Sequence, residues 1–224
     1  MSSQETIKIG NFHVLFCRNP RAKHILLKQN QQGEIVLTCP KFCPKMLAVA
    51  FAKKQLPWIR AHIQYGPMPH AFEPGETITI VGKKYKLKRG KQTQEEGGVL
   101  SLSGEAEFFH RRVCSYGQKK LLPYVQKRVA DLTAQMGIKP GRITLRNTSS
   151  RWGSCSSTKN LSFCWKIAFA PVEVIDYLVA HEVAHLKQMN HSVRFWSLVD
   201  ELTPHRRVAE KWLKKNGRAL QMIK

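Results

Sequence analysis

Acidic residues are scarce in this chain. Of 224 residues only 15 are Asp or Glu, against 37 Lys and Arg, which sets a formal charge of +22 at pH 7 and a pI near 10.1. Phosphoryl-transfer chemistry often recruits two metals and several carboxylates, and the motif-bearing C-terminal region does not supply them. Long apolar runs are also missing. No stretch approaches the ~18 uninterrupted apolar residues of a membrane-spanning helix, so no membrane partner is expected. Residues 1–10 are polar and lack the apolar core of a signal peptide. The six cysteines (17, 39, 43, 114, 155 and 164) show no disulfide-framework rhythm. Cys39 and Cys43 resemble half of a structural zinc site, but no second pair at matching spacing follows. Free thiols in a reducing compartment are expected, with Cys155 and Cys164 facing each other if the hairpin register allows. A soluble cytoplasmic protein follows, without repeats or low-complexity tracts. Nothing in the sequence sets an oligomeric state.

The basic excess is shared almost equally between the two halves. A field this positive favours polyanions, so nucleic acid or nucleotides are candidate partners through a basic surface. The densest run, Lys83 to Lys91, places Lys84, Lys86 and Lys88 on one strand face and Tyr85 and Leu87 on the other. That is the pattern of an ordinary half-buried strand as much as of a binding face.

Apolar alternation predicts short strands over 7–16, 24–29 and 34–39, the last two joined by a polar turn at Asn30–Gly33. Pro44 opens a helical stretch to about Tyr65, which Pro57 breaks or kinks and Gly66–Pro69 ends. Further strands are expected over 77–81, 83–88 and 99–103. Near Ser103–Gly104 the pattern changes to a long helical segment from Glu105 to Met136, interrupted at Pro123 and closed by Gly137. Strands over 142–147, 151–156 and 161–168 follow, then a helix opened by Pro171 with Glu173 at its positive end. Two more helices are expected, one from about His191 or Ser192 and one over 204–215. The expectation is an α+β protein: a β-rich region with one helix over 1–104, and a second part over 105–224.

The helix opened by Pro171 ends in the most informative run, His181-Glu182-Val183-Ala184-His185 and, six residues on, His191. Histidines four apart project from one helix face and can grip one zinc ion. A glutamate between them is placed to take a proton from a water that the ion activates. Catalytic zinc is commonly held by three protein ligands. His191 is the leading third, with a carboxylate from a following helix, Glu201 or Glu210, as the competitor. Gln188 stands where related spacings carry a turn glycine, so another residue must make the turn; Asn190 best tolerates left-handed geometry.

Arg151-Trp152-Gly153-Ser154-Cys155-Ser156, the strand ending at Pro171, the His181–His185 motif, and Asn190-His191-Ser192 with Phe195-Trp196 together resemble the YgjP-like metal-dependent hydrolases. These are zinc metallopeptidases related to the SprT-like and WLM groups. The likeness extends to Gly33–Leu37 with Pro40 and to the helix carrying Trp58-Ile59, and so covers nearly the whole chain. It implies a zincin-like catalytic part, with a small antiparallel sheet packed on the zinc-binding helix. It also implies one zinc per chain on His181, His185 and His191, and Glu182 as general base; one metal and one glutamate base suit a carbonyl, so a peptide or protein substrate is expected. A metal-dependent nucleotide phosphohydrolase (a nucleoside triphosphate pyrophosphatase) and a nucleic-acid-associated binding protein are the alternatives. Arg151, His205 and Tyr177 are candidate oxyanion partners. The Arg151–Ala168 hairpin offers an edge for an extended peptide, with Gly153 allowing close approach and Trp152 either lining the site or packing the core.

Overall fold

The computed structural model describes residues 4–30, 34–64 and 71–223. The fold is α+β, and the chain divides into two compact units between His70 and Ala71.

The first unit is a mixed four-stranded sheet with two short helices. β1 (Gln4–Ile9) and β2 (Phe12–Asn19) form an antiparallel hairpin, where alternation had suggested one strand over 7–16. The break falls at Gly10, whose φ of +60° is open to glycine and strained for other residues. β3 (Leu26–Gln29) and β2 flank β4 (Ile35–Pro40), giving the order β1-β2-β4-β3. β4 is paired on both edges and packed on by helices, so Ile35 to Cys39 are all buried. α1 (Lys45–Lys54) and α2 (Leu56–Gln64) are separated at Gln55, and Pro57 sits in the first turn of α2, where its missing N–H costs nothing. Ala48, Ala52 and Ile59 face the core formed with Ile7, Ile9, Val14 and Leu37. The expected helix end at Tyr65, the 66–69 terminator and most of the Asn30–Gly33 turn lie outside the described residues.

The second unit begins with β5 (Thr77–Ile80), β6 (Lys83–Arg89), β7 (Gln94–Glu96) and β8 (Val99–Leu102), in the order β5-β6-β8-β7. Tyr85 and Leu87 of β6 are buried while Lys84, Lys86 and Lys88 are exposed, as a half-buried strand requires. The contact boundary therefore lies near residue 70 rather than at 104. Tyr85, Leu87, Leu100 and Leu102 share one core with Phe109, Val113 and Leu121 of the helix that follows, so a cut at 104 would open that core.

That helix, α3 (Phe109–Met136), runs unbroken through Pro123 and ends on Gly137 in left-handed conformation. Its inward face repeats every three to four residues through Val113, Gly117, Leu121, Val125, Val129 and Leu132. Pro123 is exposed, and so is Lys119, whose carbonyl the proline leaves without its helical partner, so solvent can meet that loss. β9 (Ile143–Arg146), β10 (Gly153–Cys155) and β11 (Leu161–Cys164) form a three-stranded sheet in the order β10-β11-β9. This sheet is mixed rather than wholly antiparallel, because β11 runs parallel to β9. Cys155 pairs with Leu161 and not with Cys164, and all six cysteines are free thiols.

α4 (Val172–Ala184) is the axis of the unit: α3, β10, α5 (Val193–Leu202) and α6 (Arg206–Gln221) all pack on it. Enclosed on nearly every side, it carries buried residues around its whole circumference, including Val174, Ile175, Leu178, Val179 and Val183. Each such aliphatic side chain contributes about 1.5–3 kcal/mol by leaving water. The last turn of α4 is therefore held rigidly.

Candidate metal centre

Three imidazoles converge where α4 ends. His181 lies on the final turn of α4, His185 caps it, and His191 precedes α5, whose N-cap Ser192 accepts a hydrogen bond from the Phe195 N–H. One ring nitrogen from each of the three lies within 4.8 Å of the others, and the Nε2 atoms of His181 and His191 are 3.2 Å apart. Nitrogens bound tetrahedrally at about 2.0–2.1 Å from zinc stand about 3.3 Å from one another. The donor set thus fits a metal ion. Glu201 and Glu210, the competing ligands, lie outside this cluster.

The turn between His185 and His191 needs no glycine. No residue there has positive φ, so Asn190 is not left-handed. The chain leaves the helix through hydrogen bonds from the N–H groups of Leu186, Lys187 and Gln188 to the carbonyls of Val183 and Ala184. The Gln188 carbonyl then folds back to 3.0 Å from His185 Nδ1. A proton held there leaves Nε2 as the free lone pair, the arrangement by which a carbonyl orients a metal-ligating histidine.

The surroundings of His181 and His185 favour the neutral ring, as ligation requires. Burial, reinforced by the two neighbouring imidazoles, pushes His181 down to about 4. Burial lowers His185 as well, opposed by the Gln188 carbonyl. Phe195 is fully buried beneath all three rings, with centroids 5.0, 4.5 and 4.7 Å from those of His181, His185 and His191. Trp196 stacks on His191 at 5.6 Å, and the Arg206 guanidinium covers Trp196 at 4.3 Å. Arg206 also pairs with Asp200 and Glu210. The sequence marks Phe195 and Trp196 only through the family resemblance and gives no sign of Arg206. A phenylalanine and tryptophan four and five residues beyond a candidate ligand were the available signal, because a helix starting there brings them back under it.

Glu182 is buried beside the triad. Burial pushes its carboxyl up to about 8, against the pull of Arg151. Its side chain lies on the backbone of β10 at Gly153. A Cβ there would stand 2.6 Å from Glu182 Cγ and 2.7 Å from Cδ, and would collide with Oε1. The close approach expected of a substrate backbone at Gly153 is made by Glu182 instead.

The remaining candidates separate. Arg151 is exposed and close enough to act on Glu182. Tyr177 is buried with its ring edge-on to His181 at 5.9 Å, but its hydroxyl donates to Glu210 at 3.1 Å, and burial and that carboxylate raise its pKa. The Trp152 ring lies against α6 at Gly217, where a Cβ would be 3.3 Å away, which makes it a packing residue. His205 occupies the N-cap of α6, and among the described residues no hydrogen bond or ring contact joins it to the triad.

No curated protein sequence matches the chain. Among solved structures it is similar to the metallopeptidase zymogen abylysin of Pyrococcus abyssi, at 20% identity and a TM-score of 0.37 over 41% of this chain and 93% of that one. The metallopeptidase zymogen jannalysin of Methanocaldococcus jannaschii is similar at 18% identity and a TM-score of 0.37, over 41% and 95%. Residues 23–216, most of the chain and all of the site just described, match the model of the YgjP-like metallopeptidase domain, and the chain belongs to that family.

Proposed function

We propose that the protein is a zinc-dependent peptidase in which His181, His185 and His191 hold one ion and Glu182 moves the proton. One observation carries this reading: three imidazoles converge beside a buried glutamate of the same helix end. A ligand set of imidazoles, with no thiolate or carboxylate, suits catalytic zinc. Bound there, the ion would supply a Lewis acid that acidifies a water and polarises a carbonyl.

The chain's own groups supply the rest. Glu182, in a water-poor pocket, accepts the proton that the attacking water gives up and returns it to the departing amine nitrogen. Gly153 holds the carboxylate in place by leaving room for it. Arg151, whose charge acts on Glu182, is the best placed of the three oxyanion candidates, since Tyr177 is engaged by Glu210 and His205 is not joined to the site. β10 is an edge strand, so an extended substrate can add to the sheet through main-chain hydrogen bonds. No helix among the described residues is long and apolar enough to cross a membrane. Its six free thiols fit a cytoplasmic setting.

The test compares the zinc-loaded protein with Glu182→Gln and His191→Ala on casein and on nucleoside triphosphates. Wild type should bind one zinc and cleave casein. Glu182→Gln should keep zinc and lose about 10²–10⁴-fold in rate. His191→Ala should lose zinc. Turnover of triphosphates alone would overturn the peptidase reading in favour of a phosphohydrolase.

A further inference from the structure

The sheet that carries Gly153 on one side carries a basic groove on the other. Ile143, Leu145, Leu161 and Phe163 alternate inward to the core. The intervening residues face outward, and register aligns Ser154 with Ser162 and Ser162 with Thr144 in one row across the three strands. Arg142, just before β9, and Arg146, its last residue, flank that row, and Arg151 lies two residues before the edge strand β10. These residues line a groove of about 550 Å³ that has no Asp or Glu in its walls. Ser154 and Ser162 hydroxyls lie 2.8 Å apart, and a second hydroxyl pair, Ser156 and Thr158, closes one end at 2.8 Å.

The three guanidiniums are exposed, and among the described residues none has an ion pair or a side-chain hydrogen bond. In the same unit, Arg128 and Arg206 are paired with carboxylates. An arginine fork matches a carboxylate through two parallel hydrogen bonds, so three forks around one groove, none of them hydrogen-bonded, define a site for several carboxylates in a row. No aromatic ring lines the groove, which leaves nothing on which a nucleic-acid base could stack. The position supports a peptide as well. Arg151 belongs both to the groove and to the surroundings of Glu182, and β10 is the strand to which an extended substrate would add.

We infer that the Arg142–Arg146–Arg151 groove binds an acidic segment of the protein substrate, near the bond that is cut. This rests on the peptidase reading for its meaning, although binding is measurable without cleavage. The experiment uses the zinc-loaded Glu182→Gln protein and fluorescence anisotropy with three probes: a labelled hexaglutamate peptide, a labelled hexaserine peptide, and single-stranded DNA of similar charge. Hexaglutamate should bind at least tenfold more tightly than hexaserine. Arg142→Ala/Arg146→Ala should remove about tenfold of that affinity, with circular dichroism and zinc content unchanged. Lys84→Ala/Lys86→Ala removes the same charge from the other sheet of the unit and should leave hexaglutamate binding within twofold. Equal loss in both double variants would reduce the effect to general basicity and overturn the inference. So would hexaglutamate binding no better than hexaserine, or DNA binding more tightly in an Arg142- and Arg146-dependent way. Loss of casein cleavage by wild type, with hexaglutamate binding intact, would count against the peptidase reading alone.

Discussion

Gly153 and Glu182 are 29 residues apart in sequence and in contact in space, and the contact depends on one missing methyl group. Gly153 does not have positive φ, so its requirement is for space and not for backbone freedom. Gly153→Ala would drive a methyl into the Glu182 side chain, which is buried and cannot swing into water. Displacing a catalytic group by about 1 Å can cost roughly 100-fold in rate. We expect kcat to fall by about that factor while zinc content stays at one per chain, because the histidines are held by other residues. The stability loss should be about 1–3 kcal/mol, as for other overpacked sites. Wild-type kcat in a zinc-loaded variant would show that Glu182 is not positioned by this contact. The sequence singles out Glu182 as a candidate base by its spacing from two histidines, and Gly153 as a point of close approach. It does not link the two, because only the fold brings them together.

At the scale of elements, the third histidine is presented by the start of α5. The N-cap Ser192 is the residue after His191, and Phe195, whose N–H that serine accepts, is the floor beneath all three rings. Ser192→Ala should cost about 1 kcal/mol through the lost cap, lowering Tm by about 2–4 °C for a domain of this size. Because the cap also sets where His191 stands, zinc affinity measured by chelator competition should weaken severalfold, and Ser192→Asp should restore much of both. Unchanged affinity alongside a lowered Tm would separate the cap from the site. The helix start was readable to within two residues, as was the length of α4, because caps and apolar periodicity are local signals. Pro123 misled for the same reason. A proline is a local breaker, but α3 is held by eight turns of tertiary packing (109–136), and tertiary contact outweighs one lost backbone bond.

The unit boundary was misplaced because the deciding contacts are distant in sequence. β7 (Gln94–Glu96) was not foreseen at all: three residues, all exposed, give no apolar pattern. Yet Glu95 ties the four-stranded sheet to α3. Its carboxylate accepts from the Tyr85 hydroxyl at 2.7 Å, from the Tyr116 hydroxyl at 2.6 Å and from Lys120 Nζ at 2.8 Å. Tyr85 belongs to β6, and Tyr116 and Lys120 to α3, so one of the few acids in a strongly basic chain joins elements on either side of residue 104. These bonds, Lys120 foremost, hold the Glu95 carboxyl down at about 2, below its ordinary 4.5. A group whose pKa is depressed on folding stabilises the fold above its unfolded value and loses that contribution as pH falls toward the folded one. The Glu95 contribution is therefore complete above about pH 4.5 and fades between there and pH 2. Partly exposed pairs contribute modestly, about 1 kcal/mol or less, so Glu95→Gln should lower Tm by at most about 2–4 °C at pH 7. That gap should narrow steadily below pH 4.5 in a thermal-unfolding series run down to pH 3. A gap of constant size would mean that the carboxylate's charge is not what joins the sheet to the helix.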